Sequence, residues 1–307
     1  MEFSGVLIID KPAGVTSHDV VAIVRRLLQI RQVGHFGTLD PFATGVLPTS
    51  VGKATRFAQF YLKSRKAYDG VIDFSNSTDT YDASGERTSP PTAGAISSVG
   101  RASLEKVLRD FTGRLAQMPP PFSAKRVGGV RAYELARAHK PVDLVPVEVE
   151  VYALELLDVD ADRAHFAVEC SGGTYVRSLA HDIGQKIGYP AHLASLRRTA
   201  VAEFTEAQMI TLEGLEKAIV EGRLESVGIR LEALLPDCPE LVVRGREEKS
   251  VRHGHTFELA PMAGAGRGSR SSGPGFSLLK IMSYERRLIA VARHVEGNIY
   301  HPDLVLV

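Results

Sequence analysis

The sequence predicts an α+β protein: a mixed, largely antiparallel sheet with peripheral helices, followed by a small β-rich C-terminal module. Three observations predict it. Some stretches alternate apolar and polar residues while others repeat apolar residues at helical spacing, and no strict βαβ order links them. A proline-bearing break, Leu235-Pro236-Asp237-Cys238-Pro239, sets off roughly the last 70 residues. A chain of 307 residues is also long enough for about two domains. The expected division is 1–235 and 236–307.

The elements follow in order. Val6 to Ile9 is a short apolar run that ends at Asp10-Lys11-Pro12-Ala13-Gly14, a strand and then a turn. Thr16 or Ser17 can cap a helix whose Val20, Val21, Val24, Leu27 and Leu28 share one side. Val71, Ile72 and Phe74 mark a strand that Tyr68 opens. Leu104, Val107, Leu108 and Phe111 repeat at helical spacing, with Gly113 as the expected stop. Val147, Val149, Val151 and Ala153 alternate with Glu148, Glu150 and Tyr152, and Ala164, Phe166, Val168 and Cys170 alternate likewise, so the two strands are expected to pair. Leu179, Ile183 and Ile187 mark a helix. Leu241–Val243, Ser277–Met282, Leu288–Ala292 and Leu304–Val307 are β-like, and residues 263–275 read as a Gly/Ser/Arg-rich loop.

Composition bounds the function. With 44% apolar and 24% charged residues the chain is globular, and no apolar run approaches the roughly 18 residues of a membrane span. No basic stretch followed by an apolar one opens the chain, so no secretory signal is expected. Cys170 and Cys238 cannot make a disulfide framework and fit a reducing cytoplasm. The net charge of +1 is a cancellation of blocks. Lys11 to Lys66 holds nine Lys and Arg against Asp19 and Asp40, residues 69–86 are acidic, 101–140 basic and 143–162 acidic again. Each block reads either as a solvated face or as part of a polyanion-binding one.

The chemistry concentrates in Gly34-His35-Phe36-Gly37-Thr38-Leu39-Asp40-Pro41-Phe42-Ala43-Thr44-Gly45-Val46-Leu47. Its glycines permit backbone turns or close approaches that a side chain would block. Asp40 stands among Leu39, Pro41 and Phe42, so it is either exposed in a turn, the commoner outcome for these residue types, or paired in a cleft. The Gly-x-x-Gly at Gly34 also matches a KH loop, without the helices that module needs. Phosphate-loop patterns fail, and neither His18, His35, His181-Asp182 nor His253-Gly-His255 has a metal-ligand spacing. Both cysteines read as structural. Cys170-Ser171-Gly172-Gly173-Thr174-Tyr175-Val176-Arg177 joins a strand to a helix, where turn amides and Arg177 can face an anion or lie solvated.

Together these motifs resemble the bacterial tRNA pseudouridine-55 synthases, the TruB family. Gly5 to Ser17 and Gly34 to Leu47 resemble its two leading motifs. Pro119-Pro-Pro-Phe-Ser-Ala-Lys125 with Ala132-Tyr-Glu-Leu-Ala136 is similar to the middle one, and Cys170 to Arg177 and Leu196-Arg197-Arg198 to the later ones. The tail, through its strand pattern and Gly297 to Asp303, resembles a PUA RNA-binding module. The resemblance implies the pseudouridine synthase fold and an isomerase that detaches a T-loop uracil from its ribose and reattaches it through C5. It implies Asp40 as nucleophile, Arg177 as its partner, Tyr68 as the tyrosine that packs on the base and a candidate for removing the C5 proton, and His35, Tyr175 and Leu196 as substrate contacts. It implies no metal or cofactor and tRNA as the partner; nothing in the sequence points to an obligate protein partner, so a monomer is expected, and the cysteines fit a cytoplasmic location. Pro41-Phe-Ala-Thr-Gly45 favours the stand-alone type over the guide-RNA-dependent one. Phe74-Ser75-Asn76-Ser77 and the 263–275 loop depart from the family pattern. A non-catalytic RNA-binding or tRNA-folding protein is the alternative from the basic blocks and the tail.

Overall fold

The first strand, Gly5–Lys11, is apolar without alternation because both of its faces are covered. Leu7 and Ile9 pack into one core with Val20, Val21 and Val24 of the helix Ser17–Leu28. Val6 and Ile8 point the other way, into a second core with Phe36, Tyr61 and Phe204. Successive strand side chains alternate sides, so a doubly buried strand reads as one apolar run. The computed structural model describes residues 3–94, 99–123, 125–127, 129–131, 138, 144–259 and 276–306.

Gly5–Lys11 belongs to an eleven-stranded sheet among these residues. Its main path runs Met209–Ile210, Gly5–Lys11, Thr44–Val51, His192–Val201, Lys66–Asp73, Arg163–Cys170, Val147–Asp160 and Gly113–Gln117. Along this path pairing is antiparallel except at two places: Gly5–Lys11 with Met209–Ile210, and Thr44–Val51 with His192–Val201. The second exception is a central seam where only Arg197 and Arg198 meet Thr44 and Gly45. The expected pairing of Val147–Asp160 with Arg163–Cys170 is present.

Three helices, Ser17–Leu28, Arg101–Asp110 and Val176–Ile187, lie against one side of the sheet through Val24, Leu108, Leu179 and Ile183. Thr16 caps the first in a capping box with Asp19. The second ends at Asp110, so Gly113 is not its stop; with φ 99° it turns the chain into the strand Gly113–Gln117.

Among the described residues, the four C-terminal β-like runs and an unexpected short strand, Phe257–Glu258, form a five-stranded sheet in the order Glu240–Val242, Leu278–Met282, Leu288–Glu296, Ile299–Val305 and Phe257–Glu258. Its last long strand starts at Ile299, earlier than the sequence pattern suggests. Met282, Leu288, Val291 and Leu304 join the second core, so the module seats on the face of the large sheet opposite the helices. The buried ammonium of Lys280 donates to the carbonyls of Glu232 and Leu234 and pairs with Glu240, which ties the connecting segment to the module. Residues 132–136 and 263–275, singled out in the sequence, lie outside the described residues. No described helix is long and apolar enough to cross a membrane.

Candidate active site

The Asp40 loop is held by residues distant in sequence. Asp40-Pro41-Phe42-Ala43 forms a turn closed by the Ala43 amide donating to the Asp40 carbonyl at 3.1 Å. Lys11, fully buried, donates to the carbonyls of Pro41 and Ala43, and the Gly14 amide also donates to Pro41. Ser17 Oγ both donates to the Leu39 carbonyl and accepts from the Leu39 amide. From beneath, the buried Arg198 guanidinium donates to the carbonyls of Gly37, Thr38 and Val46. Gly45 makes the seam possible: its φ is 98°, and a Cβ there would stand 2.3 Å from the Arg198 carbonyl.

Asp40 is thus in a turn and paired as well. Arg177 Nε lies 2.9 Å from Asp40 Oδ2, and Nη2 donates to Oδ1 at 3.1 Å. The same guanidinium donates to the carbonyls of Thr80 and Phe122 and faces the buried Asp82 carboxylate at 3.4 Å. Arg177 opens the helix Val176–Ile187, whose N-cap Tyr175 has no capping side-chain bond. Gln117 replaces that cap: its amide accepts from the Tyr175 amide and donates to the Tyr175 carbonyl.

Burial is the largest influence on the Asp40 carboxyl and pushes its pKa up; Arg177 and Lys11 oppose this, and the Asp82 charge adds to it. A third of the Asp40 side-chain surface is still open, 34%, but that part faces a cavity walled by protein, where desolvation persists. Arg177 is the expected partner of Asp40, and Lys11 adds to its compensation. Burial, together with a guanidinium shared between two carboxylates, leaves Asp40 more basic than an ordinary aspartate.

The cavity above Asp40 encloses about 1020 Å³, the upper end of the usual size for a ligand site. His35, Tyr68, Tyr175, Arg177 and Leu196 all line it, so every predicted site residue converges there. Tyr68 stands opposite Arg198 across neighbouring strands, and burial pushes its phenol up to about 12, with the Arg198 charge opposing. His35 Nδ1 accepts from the Gly37 amide at 3.2 Å, which puts the ring's proton on Nε2, and burial lowers the imidazole pKa. Lys66 also lines the cavity, its ammonium spent on the carbonyls of Leu62 and Ser64 and its pKa lowered by burial to about 8. Lys11 and Lys66 of the first basic block are therefore internal and not part of an outer anion-binding face.

Sequence reasoning missed Asp82, Lys11, Ser17 and Gln117. Arg198 carried a signal, because strand alternation puts it on the face of Leu196; Asp82 carried none beyond its charge. Phe36 is fully buried and stacked on Tyr61, which excludes a KH-type loop at Gly34 to Gly37. Cys170 is buried with its thiol pushed up to about 11, as suits a structural residue. Among the described residues, no three His, Cys, Asp or Glu gather as metal ligands would.

Residues 25–176 match the model of the TruB family pseudouridylate synthase N-terminal domain, and residues 177–242 match that of the tRNA pseudouridylate synthase B C-terminal domain. The chain belongs to the TruB family. Among TruB-family proteins it is 44% identical to the tRNA pseudouridine synthase B of Solibacter usitatus over 302 residues, covering 98% of this chain and 99% of that one. It is 39% identical to that of Pseudomonas syringae pv. syringae, covering 96% and 93%. The TruB-family fold also extends to a chain of an H/ACA ribonucleoprotein bound to a substrate RNA containing 2′-deoxyuridine, with TM-score 0.71, 26% identity and coverage of 99% and 85%. A chain of a Cbf5-Nop10-Gar1 complex gives 0.69 and 28%, covering 96% and 79%.

Proposed function

We propose that this TruB-family chain is a stand-alone tRNA pseudouridine synthase that converts uridine-55 of the T-loop to pseudouridine. The observation that carries the reading is the Arg177 guanidinium on the Asp40 carboxylate at the floor of a nucleotide-sized cavity. Detaching uracil develops positive charge at C1′ of the ribose, and a carboxylate there stabilises that charge or bonds to it. The C1′–N1 bond breaks, uracil leaves with the electron pair, turns, and bonds to C1′ through C5, releasing Asp40 where it had bonded; C5 then loses its proton and N1 gains one from water. Arg177 favours the ionised carboxylate against the burial that raises its pKa.

Reaching C1′ requires the nucleotide to leave the stack. The flat faces of His35, Tyr68 and Tyr175 and the apolar Leu196 suit a flipped base and the space it vacates. A phenol of pKa about 12 is a scarce base at neutral pH, so packing on uracil is the better supported task of Tyr68. If it takes the C5 proton, the Arg198 charge is what stabilises the phenolate. The chemistry consumes no redox equivalent, and no metal or cofactor is assigned to it.

Residues 1–235 are proposed as the catalytic unit and 236–307 as a PUA-like RNA-binding unit. Action without guide RNA is favoured by 39–44% identity to enzymes named for tRNA, against 26–28% to the ribonucleoprotein chains; a monomer is proposed with it. The test is release of tritium from tRNA labelled at uracil C5. Wild type is expected to release it and Asp40→Asn to release none while binding tRNA with unchanged affinity. No release by wild type at micromolar enzyme sinks the catalytic reading and leaves the RNA-binding alternative.

A further inference from the structure

We propose that Tyr81 and His181 form a ring-on-ring clamp that positions Asp82 and Thr80 on Arg177, and through Arg177 aligns the Asp40 carboxylate. Tyr81 and His181 stack nearly parallel, with ring centroids 3.9 Å apart and an angle of 6°. The two flanking residues, Thr80 and Asp82, are both contacts of Arg177 Nη1, one through its carbonyl at 3.0 Å and one through its carboxylate at 3.4 Å. His181 lies one helical turn beyond Arg177, on the same side of the helix. The clamp therefore joins the loop to the helix next to the place where the loop meets Arg177.

The backbone argues that this contact is needed. Tyr81 has φ 63°, the left-handed region, which an aromatic residue enters only where its surroundings over-determine it. Its carbonyl accepts from the Leu193 amide at 3.0 Å, and the Asp82 carboxylate is turned by Thr80 Oγ1 and the Ser84 amide, each at 2.9 Å. Those bonds shape the loop but do not attach it to the helix. A force also opposes attachment: Asp40 and Asp82 carry like charges and share one guanidinium. His181 contributes ring surface and no hydrogen bond from Nδ1, which is buried without a partner among the described residues.

The inference rests on the pseudouridine synthase reading, and the test separates the two. Single-turnover tritium release and tRNA affinity are measured for Tyr81→Ala, Tyr81→Gly, Tyr81→Phe, His181→Ala and His181→Phe. Misplacing a reacting group by about 1 Å costs roughly 10²-fold, so the Ala and Gly variants are expected to lose about 10–100-fold in rate with affinity within about twofold. Tyr81→Phe and His181→Phe keep the stack and are expected to recover the rate to within about threefold. The double Ala variant is expected to be no slower than either single one, because one contact is removed in each. An inactive wild type refutes the underlying reading. An active wild type with unaffected Ala variants, a Tyr81→Gly variant at full rate, or parallel losses of rate and affinity overturns the clamp. If Tyr81→Ala does not fold, His181→Ala decides, since alanine is favoured at its helical position.

Discussion

Replacing Arg177 by methionine removes the charge that lets Asp40 act as an anion while keeping much of the side chain's volume. The guanidinium meets both Asp40 oxygens at 2.9 and 3.1 Å. With charge centres about 4 Å apart and an effective dielectric of about 20, the lost attraction is about 4 kcal/mol. At 1.36 kcal/mol per decade in the protonation equilibrium, that sets a ceiling of roughly 10³ on the rate loss, reached only where the variant's Asp40 is protonated. The sign of the pH effect follows from the same geometry. Burial and Asp82 already raise the Asp40 pKa, and without Arg177 nothing but Lys11 opposes them, so the variant's rate should climb with pH where wild type is level. Tritium release under single-turnover conditions between pH 6 and 9, with tRNA affinity measured alongside, reads both effects. A variant within tenfold of wild type and with the same pH profile would refute the claim that Arg177 controls the charge on Asp40. Equal losses of rate and affinity would move the effect from chemistry to binding.

Three further outcomes follow from single contacts. Asp82→Asn removes the like charge facing Asp40 and loosens Arg177, so the acid limb of the rate profile should move to lower pH while the rate falls by about 10-fold or more; an acid limb moving upward would contradict this. Burial pushes Asp182 up to about 6 from 3.8, so the folded chain holds that proton more tightly than the unfolded one. Its contribution to stability is full below pH 4 and lost as pH rises through 6; Asp182→Asn should stabilise at pH 7.5, by about 1 kcal/mol after solvent screening of a ceiling of about 3, and have no effect at pH 3.5. Gly45→Ala places a methyl against the Arg198 carbonyl in a left-handed backbone and should cost about 3 kcal/mol, read as a fall of several degrees in Tm; an unchanged Tm would show the seam is not held there.

Elements made by neighbouring residues were legible. The capped helix at Thr16, the alternating strands at Val147 and Ala164 and the helix after Gly173 are written in local periodicity, and periodicity survives without knowledge of the partner. Asp40 was legible for a different reason: a carboxylate in apolar company is costly unless answered, so the sequence poses the question of its partner. The answer in Arg177, 137 positions away, came from resemblance, and the sharing of that guanidinium with Asp82 came from neither.

By itself, then, the sequence determined the element types, the unusual aspartate and the family. Only the tertiary structure decided which charges are buried and whom they serve. Lys11 and Lys66 count as basic-block residues in the chain, yet one holds the Asp40 loop and the other lines the cavity. Asp82 counts as acidic surface, yet it faces Arg177. The physical reason is range. Strand and helix periods are set by torsions a few residues apart, whereas the energy of a buried charge depends on which groups the fold brings within a few ångströms, and sequence separation carries almost no information about that.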